Sequence, residues 1–368
     1  MYVERLVKRL EASGNRTCLR HSRRDIAAGD FLNSIHRYAR TLDSLSIGTV
    51  VLRDRYEAID TLETIAADRI TDLFLVEPQL FELMDHPDLE SADLSSLRTL
   101  THIGASAPPA LRLRARQRFG PRVVHTYGAS EEGLVSVLTA AEDDPANPEH
   151  FHSAGRVLPH VEVRLRRNDG TIAVAGETGS IEVRSPAMAQ GYRNRPDLEA
   201  AAFRDGWYRS GDLGRIDVDG YLHVFGRAVD IDVIDGHMIS PTLIEDTLCR
   251  LPDIRYAAVV VDRDRARRVA VIIPWPGKAI DQALYLGAVA AEYGQAVATS
   301  LLLLPRDTIP LTSQGKPDRE AIRALGRLDE AKNRISQARK ANTASERANR
   351  SPLSCDGSPN GGLDVETS

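Results

Sequence analysis

Cysteine is scarce. The 368 residues hold three, Cys18, Cys249 and Cys355, far apart and odd in number. No CxxC pair and no Cys/His cluster has metal-ligand spacing, so neither a structural zinc site nor a disulfide framework is expected. Each is read as a small thiol rather than a nucleophile, in a reduced, cytoplasmic chain. Long apolar runs are missing too. The longest, from Ser300 to Pro305, has only strand length, so no transmembrane segment is expected. The opening MYVERLVKRLEASG has charges every few residues and no apolar stretch of the kind a secretory signal needs. Nor is there an excess of one charge. The formal net charge is −5, with 27% charged and 42% hydrophobic residues, which offers no basic field for nucleic acid or anionic membrane.

The length suits two domains, or one large domain and a smaller one. Apolar residues at helical spacing predict helices over 2–12 and 29–45, through Leu6, Val7 and Leu10, then Phe31, Ile35, Tyr38, Ala39 and Leu42. From Thr49 strands and helices alternate. Strands are expected at Val50–Leu52, Thr71–Val76, Leu97–Ile103 and Arg122–His125, with helices at Tyr56–Ala67, from Pro78 to Met84 and at Pro109–Phe119. That alternation argues for a parallel α/β sheet. From about Gly155 to His223 short strands with Gly and Asp turns predict a β-rich subdomain. Beyond Arg227 a compact α+β unit follows, with a helix at Ile244–Leu251, strands at Tyr256–Val261 and Arg268–Ile273, a helix near 281–297 and a strand near 299–304. The fold expected is a truncated N-terminal α/β domain with a β-rich subdomain over 1–226, then a small mobile C-terminal α+β domain over 227–327. Residues 328–368 are polar, rich in Ser, Asn, Gly and Pro towards the end, and read as a disordered tail.

Four segments carry chemistry. The run from His125 to Glu132 follows a strand, at the carboxyl end of a parallel sheet where α/β proteins bind ligands. Its Tyr127 can stack on a base, Ser130 can bond a phosphate, and Glu131 is a hard oxygen ligand suited to Mg²⁺. The bland alternative, a turn with a solvated acidic pair, stands at even odds on this segment alone. The run from Gly206 to Gly214 places Asp212 on a tight turn between strands, where a carboxylate can accept both hydroxyls of a ribose; alone it reads better as an ordinary turn residue. In the third segment, Arg227 offers a planar guanidinium to a phosphate, against the alternative of a surface linker residue. The last runs from Pro310 to Arg319. It carries Lys316 on a Gly-bearing loop ahead of a helix, able to neutralise developing charge; a solvated lysine is the usual fate.

Taken in order, these segments resemble the adenylate-forming superfamily, of the fatty-acid–CoA ligase type. YGASEEG, GWYRSGDLG, GRAVDIDVIDGHMISPTLIE and PLTSQGKPDR match its ordered elements, and GASAPP and GETGSIEVRSPAMAQGY agree as well, over roughly Val50 to Leu325. The resemblance implies a ligase that makes an acyl-adenylate from ATP and then a thioester with coenzyme A. Its substrate would be a carboxylic acid, a fatty acid first among them, with no nucleic acid involved. By position, Gly104, Ala105 and Ser106 would line the adenine and Tyr127 would stack on it, with Thr126 and Gly128 beside it. Ser130 would touch phosphate and Glu131 would hold Mg²⁺. Asp212 would hold the ribose, Arg227 would lie near ribose or phosphate, and Lys316 would drive adenylation. Gly236 and His237 would face coenzyme A.

The sequence departs from that family in one large respect. The Ser/Thr/Gly-rich loop that holds the β- and γ-phosphates has no counterpart in residues 1–124. Residues 1–48 resemble the family's start and residues 49 onward the stretch after that loop, which places an internal deletion near Gly48 and Thr49. Such a deletion removes strands, exposes edges and takes away triphosphate contacts. Val229 also stands where the family's hinge commonly has Asp or Lys. Two readings follow: an acyl-CoA ligase of impaired activity, completed by a partner chain or oligomer, or an inactive, nucleotide-binding remnant.

Overall fold

The computed structural model describes residues 17–21, 24–27, 51, 55–103, 107–192, 194–234, 236–312 and 315–331. The helices expected at 2–12 and 29–45, the Gly48–Thr49 join and the tail beyond 331 lie outside the described residues. The first strands, β1 (Thr17–His21) and β2 (Arg24–Ala27), pair antiparallel. Val51 is the one described residue of the strand expected at Val50–Leu52, and it is not in a strand.

The expected alternation then appears. Helix α1 (Ala58–Ala67) leads to β3 (Asp72–Val76), α2 (Glu77–Met84), β4 (Thr99–Ile103), α3 (Pro109–Phe119) and β5 (Val123–Ala129). The apolar spacing of Ala58, Leu62 and Ile65 explains α1, whose one face is buried. Helices α2 and α3 open on Pro78 and Pro109, whose fixed φ suits a first turn. Gly120, with φ 68°, ends α3. Strands β3, β4 and β5 are parallel, with Leu75 beside His102 and His102 beside His125. The sheet continues antiparallel through β6 (Gly133–Leu138) and β7 (Arg156–Val157), in the order β3-β4-β5-β6-β7.

The β-rich part forms a second sheet. Strands β8 (Glu162–Arg166), β9 (Thr178–Arg184), β10 (Phe203–Arg204), β11 (Trp207–Ile216) and β12 (Leu222–Arg227) pair antiparallel around β11 and β9. Val135, Leu165, Ile181, Val183 and Leu222 make its small core. A hairpin of β13 (Asp232–Ile234) and β14 (His237–Ile239) follows, then α4 (Pro241–Cys249). Next comes a sheet of β15 (Ile254–Asp262), β16 (Arg267–Pro274) and β17 (Leu301–Pro305). The single helix expected near 281–297 is two, α5 (Gln282–Tyr293) and α6 (Gln295–Thr299). Gly294 takes φ 87° between them, which no helix interior allows. Residues 319–331 are helical, four residues into the stretch read as tail. None of the described helices is long and apolar enough to cross a membrane.

Packing does not follow chain order. One hydrophobic core joins α1, α2 and α3 with α4, β15, β16 and β17. Polar contacts pin the same seam. Asp246 accepts from the Ala110 amide at 2.7 Å, and Arg114 and Arg255 both pair with Asp85, at 2.5 and 2.9 Å. Arg114 also lies over the Trp275 ring, and Phe81 packs against Tyr256.

Two carboxyls sit in this seam. Glu77 is 4% exposed and accepts a bond from the Tyr256 hydroxyl at 3.3 Å. Burial and neighbouring Glu245 push its pKa up, against Tyr256 and Arg319, which lower it. Burial pushes Glu245 up to about 8, against the Val259 amide at 2.7 Å. A carboxyl with a raised folded pKa stabilises the fold below its unfolded value and loses that contribution as pH rises through the folded one. The urea midpoint is therefore expected to fall between about pH 5 and 8 and to level off above, and Glu245→Gln is expected to flatten that fall. An unaltered protein with a flat profile across this range would remove the carboxyl pair as a determinant.

Candidate nucleotide site

The site forms where the two larger sheets meet. Tyr127 stands near the end of β5, and Asp212 lies within β11. The Tyr127 hydroxyl donates to Asp212 Oδ2 at 2.7 Å. Asp212 was expected on a tight turn; it lies instead in mid-strand, at a bulge. Gly211 takes φ 79°, and the β11 register shifts between Arg209 and Leu213. One residue in the left-handed region re-aims the next side chain without ending the strand. Arg227, at the end of β12, brings Nε to 3.5 Å from Asp212 Oδ1 and donates from Nη1 to the Ser210 carbonyl at 2.5 Å. The Ser210 hydroxyl accepts from the Asp212 amide at 3.0 Å, which fixes the bulge.

The acidic pair is divided by its surroundings. Glu131 is half-buried, and its Oε1 accepts from the Tyr192 hydroxyl at 2.9 Å. Glu132 is 0% exposed, and neither of its oxygens has a hydrogen-bond partner. Burial, Asp212 and Glu131 push its carboxyl up to about 8. A solvated acidic pair is therefore not what the chain builds. Tyr127 is likewise pushed up, by burial first and then by Asp212. Gly128 has a steric reason: a Cβ there would stand 2.2 Å from the Gly133 carbonyl oxygen, across the β5–β6 bulge.

The lysine loop reaches the carboxyl end of the same parallel strands, at β3. A Cβ on Gly315 would come 3.3 Å from Val76 Cγ2 and 3.5 Å from Gln79 Nε2, so the loop lies where β3 passes into α2. Asp318 caps the following helix through the Ala321 amide at 3.0 Å. Arg319 pairs with buried Asp230. Its own pKa is held down by burial and by Arg227 and Arg323, while Asp212 and Glu77 act the other way. Lys316 itself is exposed.

Tyr127, Asp212, Arg227 and Glu131 are thus gathered. Thr126 is nearby, but its hydroxyl is spent on the His102 carbonyl at 3.0 Å. Ser130 is exposed. Gly236 and His237 sit exposed on the β13–β14 hairpin, with no hydrogen bond to the gathered residues. Gly104, Ala105 and Ser106 lie outside the described residues. Sequence reading passed over Glu132 as a site group, and Tyr192, Ser210 and Arg319. Each carried a signal: Glu132 is the second member of an acidic pair, and Tyr192, Ser210 and Arg319 lie within GETGSIEVRSPAMAQGY, GWYRSGDLG and PLTSQGKPDR.

This geometry can be set beside known proteins. Residues 34–193 match the family described as AMP-binding enzyme. The chain belongs to the AMP-binding enzyme family. Among members of the family, it is 34% identical over 287 residues to a medium/long-chain fatty-acid–CoA ligase of Mycobacterium tuberculosis, covering 75% of this chain and 50% of that protein. It is 35% identical over 292 residues to the indoleacetate–CoA ligase of Aromatoleum aromaticum, covering 78% and 56%. The solved amide bond synthetase of Marinactinospora thermotolerans aligns with TM-score 0.67 at 35% identity, over 75% of this chain and 57% of that one. The chain spans about half the length of the curated relatives it matches.

Removing the Tyr127 hydroxyl leaves Asp212 short of a donor. Tyr127→Phe is expected to weaken AMP binding roughly tenfold, the worth of one hydrogen bond to a charged group. Isothermal titration with AMP measures it, and unchanged affinity would show that the bond does not organise the site.

Proposed function

We propose that this chain is an acyl-CoA ligase that activates a fatty or related carboxylic acid. The observation that carries the reading is the gathering of Tyr127, Asp212, Arg227 and Glu131 where the two sheets meet, with the Lys316 loop at the carboxyl end of β3 in the same parallel sheet. The relatives' names support the acid–thiol ligase class and span both fatty and arylacetic acids.

In this reading a carboxylate oxygen of the acid attacks the α-phosphorus of ATP, and pyrophosphate leaves. The coenzyme A thiol then attacks the acyl carbonyl, and AMP leaves. Asp212 accepts the ribose hydroxyls, its position fixed by Tyr127 and the Gly211 bulge. Arg227 faces the phosphate end. Lys316 neutralises charge as it spreads between carboxylate and phosphate. Gly104, Ala105 and Ser106 line the adenine with Thr126, Gly128 and the Tyr127 ring, and Ser130 touches phosphate.

The residues fit a Mg²⁺ ion. Glu131 is a hard oxygen donor with one oxygen uncommitted, and buried Glu132 beside it lacks any partner. Bound by Glu131, Mg²⁺ would supply positive charge to the triphosphate. A cytoplasmic location and a partner chain or second copy that completes the site belong to the same proposal.

A second reading keeps its own support. No Ser/Thr/Gly-rich phosphate loop occurs in residues 1–124, and an internal deletion near Gly48 and Thr49 would account for that. A chain so altered would bind AMP or acyl-adenylate but use ATP poorly or not at all.

Carboxylate-dependent exchange of pyrophosphate into ATP separates the two. The ligase reading expects exchange with at least one acid in a panel of short to long fatty acids and arylacetic acids, and its loss in Lys316→Ala. Folded protein that binds AMP yet exchanges with none of them would make this a nucleotide-binding remnant.

A further inference from the structure

One face of the second sheet is tiled with arginine and turned to solvent. Its residues alternate along the strands with Leu165, Ile181 and Val183, which point into the small core. Across the sheet Arg164 stands beside Glu182, and Glu182 beside Arg209. Glu162 stands beside Arg184, and on β10 Arg204 stands beside Trp207. Five guanidinium groups, from Arg164, Arg166, Arg184, Arg204 and Arg209, meet three carboxylates, Glu162, Glu182 and Asp205. All five are at least partly exposed, so the excess of two positive charges faces water, not the core.

Glu182 shows what this face holds. It is 2% exposed and accepts from Nε of Arg164, Arg166 and Arg209, at 2.6, 2.8 and 3.2 Å. Arg166 spends its remaining donors on Glu182 and on the Gly170 carbonyl. Arg164 and Arg209 do not. Among the described residues their Nη groups make no hydrogen bond, which leaves two open forks on either side of Glu182. They spring from β8 and β11, two strand spacings or roughly 10 Å apart. Arg164 also lies over the Trp207 ring at 4.0 Å, as Arg184 does at 4.7 Å. A guanidinium already placed by a ring and a carboxylate loses less freedom when it binds.

We propose that this face docks an extended acidic segment of a partner protein. Such a segment carries alternate side chains on one side, roughly 7 Å apart, within reach of both forks. Carboxylates suit the forks because each can take two parallel N–H bonds. Nucleic acid suits the face less well. Trp207 is 9% exposed and covered by guanidinium groups, which leaves no ring for a base to stack on, and the whole chain carries a net charge of −5. The surface lies outside the nucleotide site, and the proposal stands whether or not the ligase reading does.

Fluorescence anisotropy of a labelled peptide of alternating glutamate and threonine, titrated with the full chain, tests it. Binding is expected at low salt and should weaken as ionic strength rises. Arg164→Gln is expected to lower affinity about fivefold, the upper worth of one exposed ion pair. Arg164→Gln with Arg209→Gln should lower it roughly twenty-five-fold if the forks act independently. Arg164→Lys, which keeps the charge but not the fork, should lose less. Glu182 keeps Arg166 and Arg209 in Arg164→Gln, so AMP affinity should stay unchanged and report an intact fold. No binding at low salt, affinity indifferent to Arg164→Gln, or tighter binding of a single-stranded oligonucleotide of equal length would overturn the proposal. Binding seen only after Asp364→Asn and Glu366→Gln would also overturn it, by assigning the face to the chain's own alternate carboxylates.

Discussion

The hydrogen bond from Tyr127 to Asp212 fixes the geometry on which the site depends. Its partners lie 85 residues apart and come from different sheets. Neither could be placed by its own strand alone. Tyr127 is aimed by the β5–β6 bulge that Gly128 allows, and Asp212 by the β11 bulge that Gly211 allows. Each is a local irregularity, and each leaves its strand hydrogen-bonded on both sides of the kink. The two sheets are therefore registered against one another by these two side chains.

Poorly exposed carboxylates set register at two further places. Asp85 takes Arg114 from its own unit and Arg255 from the C-terminal one, and within the C-terminal unit Asp230 takes Arg319 and Arg323. Such pairs contribute little net stability, because desolvation offsets attraction, but breaking one leaves an uncompensated charge. They act as registers more than as glue. The Asp230 pair is the consequential one, since Arg319 lies three residues beyond Lys316 and ties its loop to the end of β12.

Much of this was legible in the sequence, and the reasons for the rest are physical. The parallel strands and their helices announced themselves through apolar periodicity, as in Ala58, Leu62 and Ile65. The order of the motifs announced the family. What the sequence could not show was how positive φ would be used. At Gly211 it makes a bulge where a turn was expected, and at Gly294 it breaks a helix whose apolar pattern runs straight through. The pattern of residue types is the same in each case; the difference lies in which hydrogen bonds the neighbouring strands offer. Glu132 is a second case. A pair of glutamates reads as solvated, and only the arrival of β11 and the segment around Tyr192 buries one and leaves the other at the surface of the site.

The C-terminal unit poses a sharper constraint. An α/β sheet buries its helices on the sheet side and leaves their outer faces polar. Helix α2 is apolar on both, with Leu80, Phe81, Leu83 and Met84 all buried. The outer face is covered by β15, where Phe81 meets the Tyr256 ring at 4.9 Å. The C-terminal unit is thus the second wall of a helix layer, not a cap resting on a finished domain. Rotating it away would uncover Phe81 and Tyr256 at about 25 cal/mol per Å² of apolar surface and would strip Asp85 of Arg255. Among the described residues β3 forms the edge of its sheet, and Phe74 on it is 65% exposed. Among the described residues the apolar helix faces are covered by the C-terminal unit, and no strand pairs that edge. Any rotation of the C-terminal unit must work against this seam, and the buried carboxyls Glu77 and Glu245 are the groups within it whose charge state can change the cost.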